Sequence, residues 1–531
     1  MPKESVTPEE PVAPKESVMP KESVVPQEPV APKESVMPHD PVTHDGTGPL
    51  MHDGTGPLIH DGTGPLIFVQ FYLDCLSHAS YLIGDRTTGR AVVVDPQRDV
   101  NEYLATAAHH GLTIERVVET HVHADFLSGH LELAERTGAP ISYGSAADVD
   151  FDTDPLADGQ HLGLGEVDLQ ILHTPGHTPE SVCVVVREHA ADPVPYGVLT
   201  GDTLFIGDVG RPDLLSARGR SAEDMARALY RSTRERLLTL PDETRVFPAH
   251  GAGSACGKNL SAELSCTLGT QRVSNYALAD MSEDAFVDVV TSGQSAAPAY
   301  FSFTSERNRE ARPVLDEDAP VPALTPDAAR RAVDDGATVL DTRDPDSFAA
   351  AHLPGSVSVP LGGRFAELCG EVLPAGADLV LCGDPGTARE ARNRLARIGY
   401  DRVLGALPAD TLSAEHVTSM PRVEAASLAA RLTENPRPFT LLDVRAPGEI
   451  HDTGTLPGAR TVPLPELIVR IDELTPHQHQ PLVVLCASGN RSSVAASVLR
   501  AHGFDADDLR GGFTAWRGPV EHPAGGGGVP A

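Results

Sequence analysis

Two histidines and a carboxylate stand within five residues of one another, at His121, His123 and Asp125, in the run Thr120-His121-Val122-His123-Ala124-Asp125-Phe126. They follow the β-favouring stretch Arg116-Val117-Val118-Glu119. A strand that ends in such a cluster is how a fold builds a metal pocket, because neutral imidazoles and carboxylates are donors that first-row metals take. Partners from elsewhere must close the site, and three candidates follow on sharp loops behind apolar runs. They are His177 in Thr174-Pro175-Gly176-His177-Thr178, Asp202 in Thr200-Gly201-Asp202-Thr203-Leu204, and His250 in Pro248-Ala249-His250-Gly251.

At 531 residues the chain is too long for one core. Its formal charge of -33 argues against binding nucleic acid or an anionic membrane surface. Seven cysteines are dispersed without a Cys-x-x-Cys pair. That usage fits a reducing compartment, so a cytoplasmic location is expected and each thiol must be judged by its setting. The N-terminus has no apolar h-region, and the longest apolar run near it, Leu66 to Leu73, is broken by Gln70 and too short to span a membrane.

Residues 1–66 are repetitive. Lys-Glu-Ser-Val recurs from Lys3, Lys15, Lys21 and Lys33, and His-Asp-Gly-Thr-Gly-Pro-Leu from His44, His52 and His60. Frequent Pro and Gly with few large apolar groups cannot offset the entropy of ordering, so a disordered tail is expected. From Leu66 on, short apolar strands alternate with helical spacing, which predicts a layered α/β domain over residues 67–310. A Pro-rich linker, Pro313 to Pro326, leads to two similar units at 322–412 and 421–522. Val339-Leu340-Asp341-Thr342-Arg343 with Leu353-Pro354-Gly355 in the first matches Leu441-Leu442-Asp443-Val444-Arg445 with Leu456-Pro457-Gly458 in the second, the mark of a duplication.

In the second unit the apolar run Leu482-Val483-Val484-Leu485 delivers Cys486 into Cys486-Ala487-Ser488-Gly489-Asn490-Arg491-Ser492, followed by a helical run. Converging N–H groups at a helix start, with the Arg491 charge, would stabilise an anion and a nucleophilic thiolate. Aligned by sequence, Cys382 takes the place of Cys486 in the first unit, but Gly383-Asp384-Pro385 follows and Arg389 is displaced. A carboxylate where an anion should bind reads as an inactive unit, kept for structure or docking.

The motifs His-x-His-x-Asp, Thr-Pro-Gly-His-Thr, Thr-Gly-Asp-Thr-Leu and Pro-Ala-His-Gly, in that order, resemble the metallo-β-lactamase superfamily. The resemblance implies an αββα sandwich with metal at one sheet edge. The two units behind it, with Cys-x-x-Gly-x-Arg-Ser, Asp-x-Arg and the closing Gly511-Gly512-Phe513-x-x-Trp516, resemble α/β rhodanese sulfurtransferases. Four residues separate Cys486 from Arg491, where a related phosphatase loop needs five, which favours a sulfur carrier over phosphate. The superfamily pattern continues its first motif with a further His that holds a second metal in binuclear hydrolases. Here that position is Phe126, which cannot ligate, so one metal is expected.

The whole arrangement resembles multidomain persulfide dioxygenase–sulfurtransferases. Carried over by motif, His121, His177 and Asp202 are the expected ligands of one Fe(II), with zinc as the alternative. They form the two-His, one-carboxylate set of non-haem iron oxygenases. His123, Asp125 and His250 would orient ligands or waters from behind, and Arg211 would help hold a carrier thiol. The implied partners are a small thiol persulfide of glutathione type, O2, and sulfite or thiosulfate, with Cys486 carrying sulfur. No nucleic acid or membrane is implied, and a homo-oligomer is left open. The alternative is a zinc thioester hydrolase of glyoxalase II type with an accessory rhodanese.

Overall fold

In the computed structural model the described residues are 58–61, 63–214, 216, 219–294, 296–432 and 439–522. The first domain is built from two six-stranded sheets. One runs in the order β1 (Leu58–Asp61), β2 (Leu66–Leu73), β3 (His78–Asp85), β4 (Arg90–Val94), β5 (Thr113–Val118) and β6 (Ile141–Ser142). The other comprises β7 (His161–Gly163), β8 (Asp168–His173), β9 (Val182–Arg187), β10 (Gly197–Gly201), β11 (Arg245–Pro248) and β12 (Cys266–Thr267), ordered from β12 to β7.

Period-2 alternation sorts the side chains of these strands into layers. Val92 and Val94 of β4, with Phe68, Ile83 and Val118, meet Ile171, Val184, Leu199 and Phe247 between the sheets. Ala91 and Val93, the intervening residues, face Tyr103, Ala107 and Leu133 on the helices Asn101–His109 and His130–Thr137. On the far side Val185, Val198 and Val246 pack under Ala226, Leu229, Phe286 and Val290 from the helices Ala222–Arg231 and Glu283–Thr291. The result is the αββα sandwich implied by the motifs.

Two smaller α/β units follow, each with a wholly parallel sheet. In the middle unit the order is β14 (Val357–Ser358), β13 (Thr338–Asp341), β15 (Leu379–Gly383), β16 (Val403–Pro408). In the last it is β17 (Arg422–Val423), β21 (Ala506–Leu509), β20 (Leu482–Leu485), β18 (Thr440–Asp443), β19 (Arg460–Thr461). No helix among the described residues is long and apolar enough to cross a membrane.

Two expectations need correction. The tail reading of 1–66 lies mostly outside the described residues, but Leu58–Asp61 pairs antiparallel with β2, from Leu58 opposite Gln70 to Asp61 opposite Ile67. The unpaired edge of β2 supplies the hydrogen bonds that composition alone does not promise. The alignment of Cys382 with Cys486 is also one residue out. Asp341 sits opposite Cys382, whereas its counterpart Asp443 sits opposite Leu485. The position equivalent to Cys486 is therefore Gly383, where a Cβ would lie 2.4 Å from Thr342 Oγ1. Cys382 is a strand residue, fully buried in the core with Val339 and Leu407.

Candidate metal centre and sulfur-transfer loop

The candidate ligands gather where strands of both sheets end. Asp95, just past β4, accepts from Thr120 N at 2.7 Å and Thr120 Oγ1 at 2.9 Å, pinning the start of the His121 loop. Thr120 Oγ1 also meets His121 Nδ1 at 3.0 Å. His177 Nδ1 donates to the Arg211 carbonyl at 2.9 Å, and His250 Nδ1 to the Ser77 carbonyl at 3.2 Å. With Nδ1 so engaged, His177 and His250 each leave Nε2 as a free lone pair, the way a metal-binding imidazole is held. Gly210 permits this packing, because a Cβ there would fall 2.0 Å from the Asp202 carbonyl and 3.0 Å from His177 Nδ1.

Asp202 stands between two groups of donors. Its Oδ2 faces His177 Nε2 at 3.4 Å and His121 Nε2 at 3.8 Å, and its Oδ1 faces His250 Nε2 at 3.4 Å. The donor atoms of His121, His177 and Asp202 lie within 4.8 Å of one another. All three side chains are buried, and His121 Nε2 and both Asp202 oxygens have no hydrogen-bond partner. Burial holds both imidazoles below their ordinary range, His177 down to about 4, and raises the Asp202 carboxyl. Such a set of stripped, converging donors costs stability unless a cation satisfies it, and its two neutral imidazoles and one carboxylate fit a divalent metal.

Asp125 and His250 form the other group. Asp125 Oδ2 is 3.2 Å from His250 Nε2, and both Asp125 oxygens lack hydrogen-bond partners. A ring nitrogen of His123 also lies within 4.8 Å of the Asp125 and His250 donor atoms, while its Nε2 lies 3.0 Å from Asp95 Oδ1 and 3.3 Å from Glu119 Oε2. Burial lowers its pKa, but these two carboxylates outweigh burial and hold it well above the ordinary imidazole range. Phe126 fills the next place, 1% exposed, with its ring centroid 3.8 Å from that of His78 and 4.4 Å from that of His123. Cys256 comes within reach of Asp202 and His250, and burial pushes its thiol well up.

Residues far away in sequence brace this loop. Asn308 Nδ2 donates to the carbonyls of His123 at 2.9 Å and Phe126 at 2.7 Å, and Asn308 Oδ1 accepts from Ser128 N at 2.9 Å. Leu127 N donates to the Arg397 carbonyl at 2.6 Å, and the Arg397 guanidinium is paired with Asp99. Asn308 and Arg397 were not among the sequence candidates.

Arg211 is placed differently from the expectation. Its guanidinium is 2% exposed, held by both oxygens of Asp213 at 2.7 and 2.8 Å, and Nη1 donates to the Ala255 carbonyl at 3.3 Å. What it offers the candidate metal centre is its carbonyl, on His177.

In the last unit Gly489 N donates to Cys486 Sγ at 3.1 Å, and Sγ lies 3.5 Å from Ser492 Oγ. Gly489 has φ +94°, and a Cβ there would meet Gly511 N at 2.9 Å, so the tight turn requires glycine. The closing motif buttresses the loop from beneath: Phe513 N donates to the Cys486 carbonyl at 2.7 Å and Thr514 N to the Ala487 carbonyl at 2.9 Å. Arg491 is not directed at the thiol; both its terminal nitrogens bind Glu449 at 2.7 Å. Glu449 therefore offsets part of its charge, and the backbone N–H groups at the helix start add to what stabilisation an anion in the loop receives.

Comparison with known proteins agrees with this geometry. The profile of the Metallo-beta-lactamase superfamily matches residues 73–250, and that of the Rhodanese-like domain matches 325–405 and 424–518. A metallo-beta-lactamase from Staphylococcus aureus subsp. aureus COL, solved at 2.1 Å, is 33% identical with a TM-score of 0.60, covering 65% of this chain and 99% of its own. A beta-lactamase hydrolase-like protein of Xylella fastidiosa (strain 9a5c) is 32% identical over 243 residues, 40% of this chain and 52% of its own. The mitochondrial persulfide dioxygenase ETHE1 of Homo sapiens is 32% identical over 175 residues, 32% of this chain and 63% of its own. The chain thus spans about half the length of the first of these curated relatives. A stripped two-His, one-carboxylate cluster in an αββα sandwich, with a cysteine loop behind it, accords with both matches: this chain belongs to the metallo-β-lactamase superfamily and carries two rhodanese-like domains behind its metallo-β-lactamase domain.

Proposed function

We propose that the chain oxidises a low-molecular-weight thiol persulfide of glutathione type with O2, giving thiol and sulfite, and that Cys486 transfers sulfane sulfur to or from thiosulfate. One persulfide, one O2 and one water give one thiol, one sulfite and two protons. His121, His177 and Asp202 would hold a single Fe(II), which supplies redox chemistry and positions open to substrate. The observation that carries this reading is that cluster of unsatisfied donors, together with Phe126 at the motif position that would otherwise give a donor to a second metal. The Arg211 and Ser77 carbonyls fix His177 and His250 from behind, and His123, held by Asp95 and Glu119, orients the loop. The kinship with the human persulfide dioxygenase supports the substrate class. In the transfer step Gly489 N stabilises the Cys486 thiolate and its persulfide.

A zinc thioester hydrolase of glyoxalase II type is the second reading, favoured by Asp125, His250 and Asp202 Oδ1, which still form a second cluster. Metal analysis of the purified chain, with oxygen-electrode assays on glutathione persulfide, separates the two. Iron with persulfide-dependent oxygen uptake is the expected result. Zinc, no oxygen uptake and cleavage of a glutathione thioester would overturn the proposal.

A further inference from the structure

Two loops of the first sheet reach the candidate metal centre, residues 95–99 after β4 and 119–129 after β5. The middle domain grips both at one point, the end of its helix Ala388–Ala396. That helix closes in a Schellman motif. Tyr400 N donates to the Leu395 carbonyl at 3.1 Å and Gly399 N to the Ala396 carbonyl at 3.0 Å, with Gly399 at φ +84°. A helix end leaves further carbonyls to be satisfied from outside, and here the donors come from the metal-bearing part of the chain. The Arg397 carbonyl accepts from Leu127 N at 2.6 Å, and the Ile398 carbonyl from Thr304 Oγ1 at 3.5 Å. The buried Arg98 adds Nη1 to the Ala396 carbonyl at 3.1 Å, a cation at the negative end of the helix.

Side chains repeat the grip. Arg397 Nε donates to Asp99 Oδ1 at 2.8 Å. Asp401 accepts from Arg98 Nη1 and, at 3.0 Å, from Arg307 Nη2. Arg98 Nε then meets Glu132 Oε1 at 2.9 Å, Arg312 Nη1 reaches the same oxygen at 2.7 Å, and Arg312 Nη2 bonds the Ser128 carbonyl. Arg98, Glu132 and Arg312 are all buried, so salt screens this web weakly. It begins in the middle domain and ends on the loop that carries His121.

We infer that the middle domain is a positioning element for the metal centre, with the end of its helix Ala388–Ala396 setting the His121 loop and Arg397 and Asp401 as the positioning residues. His177 and Asp202 ride on loops of the second sheet, after β8 and β10, and His177 is braced there by the Arg211 carbonyl. The clamp thus fixes one ligand-bearing loop against the other two. It requires an ion held by His121, His177 and Asp202, iron or zinc alike, and is independent of any oxygen chemistry. It also gives the middle domain a task that needs no nucleophile, in keeping with Gly383 at the position equivalent to Cys486.

The full chain loaded with cobalt(II) provides the test, because the visible ligand-field bands of that ion report the geometry of its donors. Arg397→Ala and Asp401→Ala are each expected to shift the bands and to speed loss of cobalt to a chromophoric chelator by about tenfold. Asp401→Glu keeps a carboxylate for Arg98 and should return the wild-type bands. Hydrogen exchange of the peptide carrying Leu127, read by mass spectrometry, should rise by about tenfold in both alanine variants with or without metal. Leu407→Ala is the control. Leu407 packs with Val380 and Cys382, on the face of the middle sheet opposite Leu379 and Leu381, which share a cluster with Leu395. That variant should melt earlier while keeping the wild-type bands and exchange. Wild-type bands and exchange in both alanine variants overturn the inference, and so do equal band shifts in Leu407→Ala. Where Arg397→Ala disturbs folding, Asp99→Asn breaks the same pair from the other side. A chain that takes up no cobalt would sink the metal centre itself, whereas exchange at Leu127 still decides the clamp.

Discussion

Asn308 holds the backbone of His123: its side-chain amide donates to the His123 carbonyl at 2.9 Å from a connector outside the matched metallo-β-lactamase region. The same side chain bonds the Phe126 carbonyl and Ser128 N, so one fully buried amide fixes three points of the loop that begins at His121. Asn308→Ala would leave those groups unpaired in a dry interior, at about 1–3 kcal/mol for each group left unsatisfied. Lower thermal stability and faster loss of metal to a chelator are expected, read by thermal unfolding and by competition with a chromophoric chelator. Metal retention equal to wild type would show that the loop holds its shape without Asn308.

Phe126 marks the difference between one metal and two. It follows Asp125 in sequence and packs against His78 and His123; the unsatisfied Asp125 faces His250, and His250 faces Asp202 Oδ1. Phe126→His returns the donor that the motif ordinarily has. Metal content per chain is expected to rise from about one toward two, a count set by donor number, measured by plasma emission on the purified protein. A content that stays at the wild-type value would mean that Asp125 and His250 serve only to orient groups around the first ion.

The candidate metal residues are legible in the sequence because each rides on a short loop after an apolar run, where Gly, Pro or Thr signals a turn. The strand-by-strand layering is legible for a similar reason: Ala91-Val92-Val93-Val94 must split between two faces. Asn308 and Arg397 are not legible. Their partners lie 180 or more residues away, and nothing local distinguishes a connector asparagine from any other. The contribution of Arg211 is hidden in another way, since it bonds His177 through its carbonyl, which every residue type possesses. Arg491 shows the limit of reading charge from proximity in sequence. It is five residues from Cys486 yet bonded to Glu449, forty-two residues before it. Cys382 and Cys486 each follow an apolar run in sequence, but Cys382 lies within its strand and Cys486 just past its own; only the pairing of Asp341 and Asp443 fixes the register.

Cys486 and Cys382 should behave oppositely. Cys486→Ala is expected to abolish sulfur transfer while oxygen uptake with persulfide continues, since the thiol belongs to a separate loop from the donor cluster. Cys382→Ala should leave transfer unchanged, because that thiol is buried in a strand and burial pushes it up to about 12, far from thiolate formation at neutral pH. Thiosulfate:cyanide sulfurtransferase assays on the two variants, beside oxygen-electrode traces, test both statements. Transfer persisting in Cys486→Ala would remove that residue from its role.

Glu371 provides a pH test of stability. Burial pushes its carboxyl up to about 7, against smaller opposing pulls from Arg364 and Arg491. The folded state therefore binds the proton more tightly than the unfolded chain, whose glutamate titrates near 4.3. The sign follows from linkage: stability from this group is complete below the unfolded value and is lost as pH rises through the folded one. Above about pH 7 the folded protein must carry a half-buried, partly desolvated carboxylate at this position. Glu371→Gln keeps the shape and removes the charge, so its melting temperature should exceed wild type at pH 8. The difference should shrink through pH 7 to 5 and vanish near pH 4, where both side chains are neutral. Paired melting curves across that range check the prediction, and a stabilisation independent of pH would mean that packing rather than ionisation sets the effect.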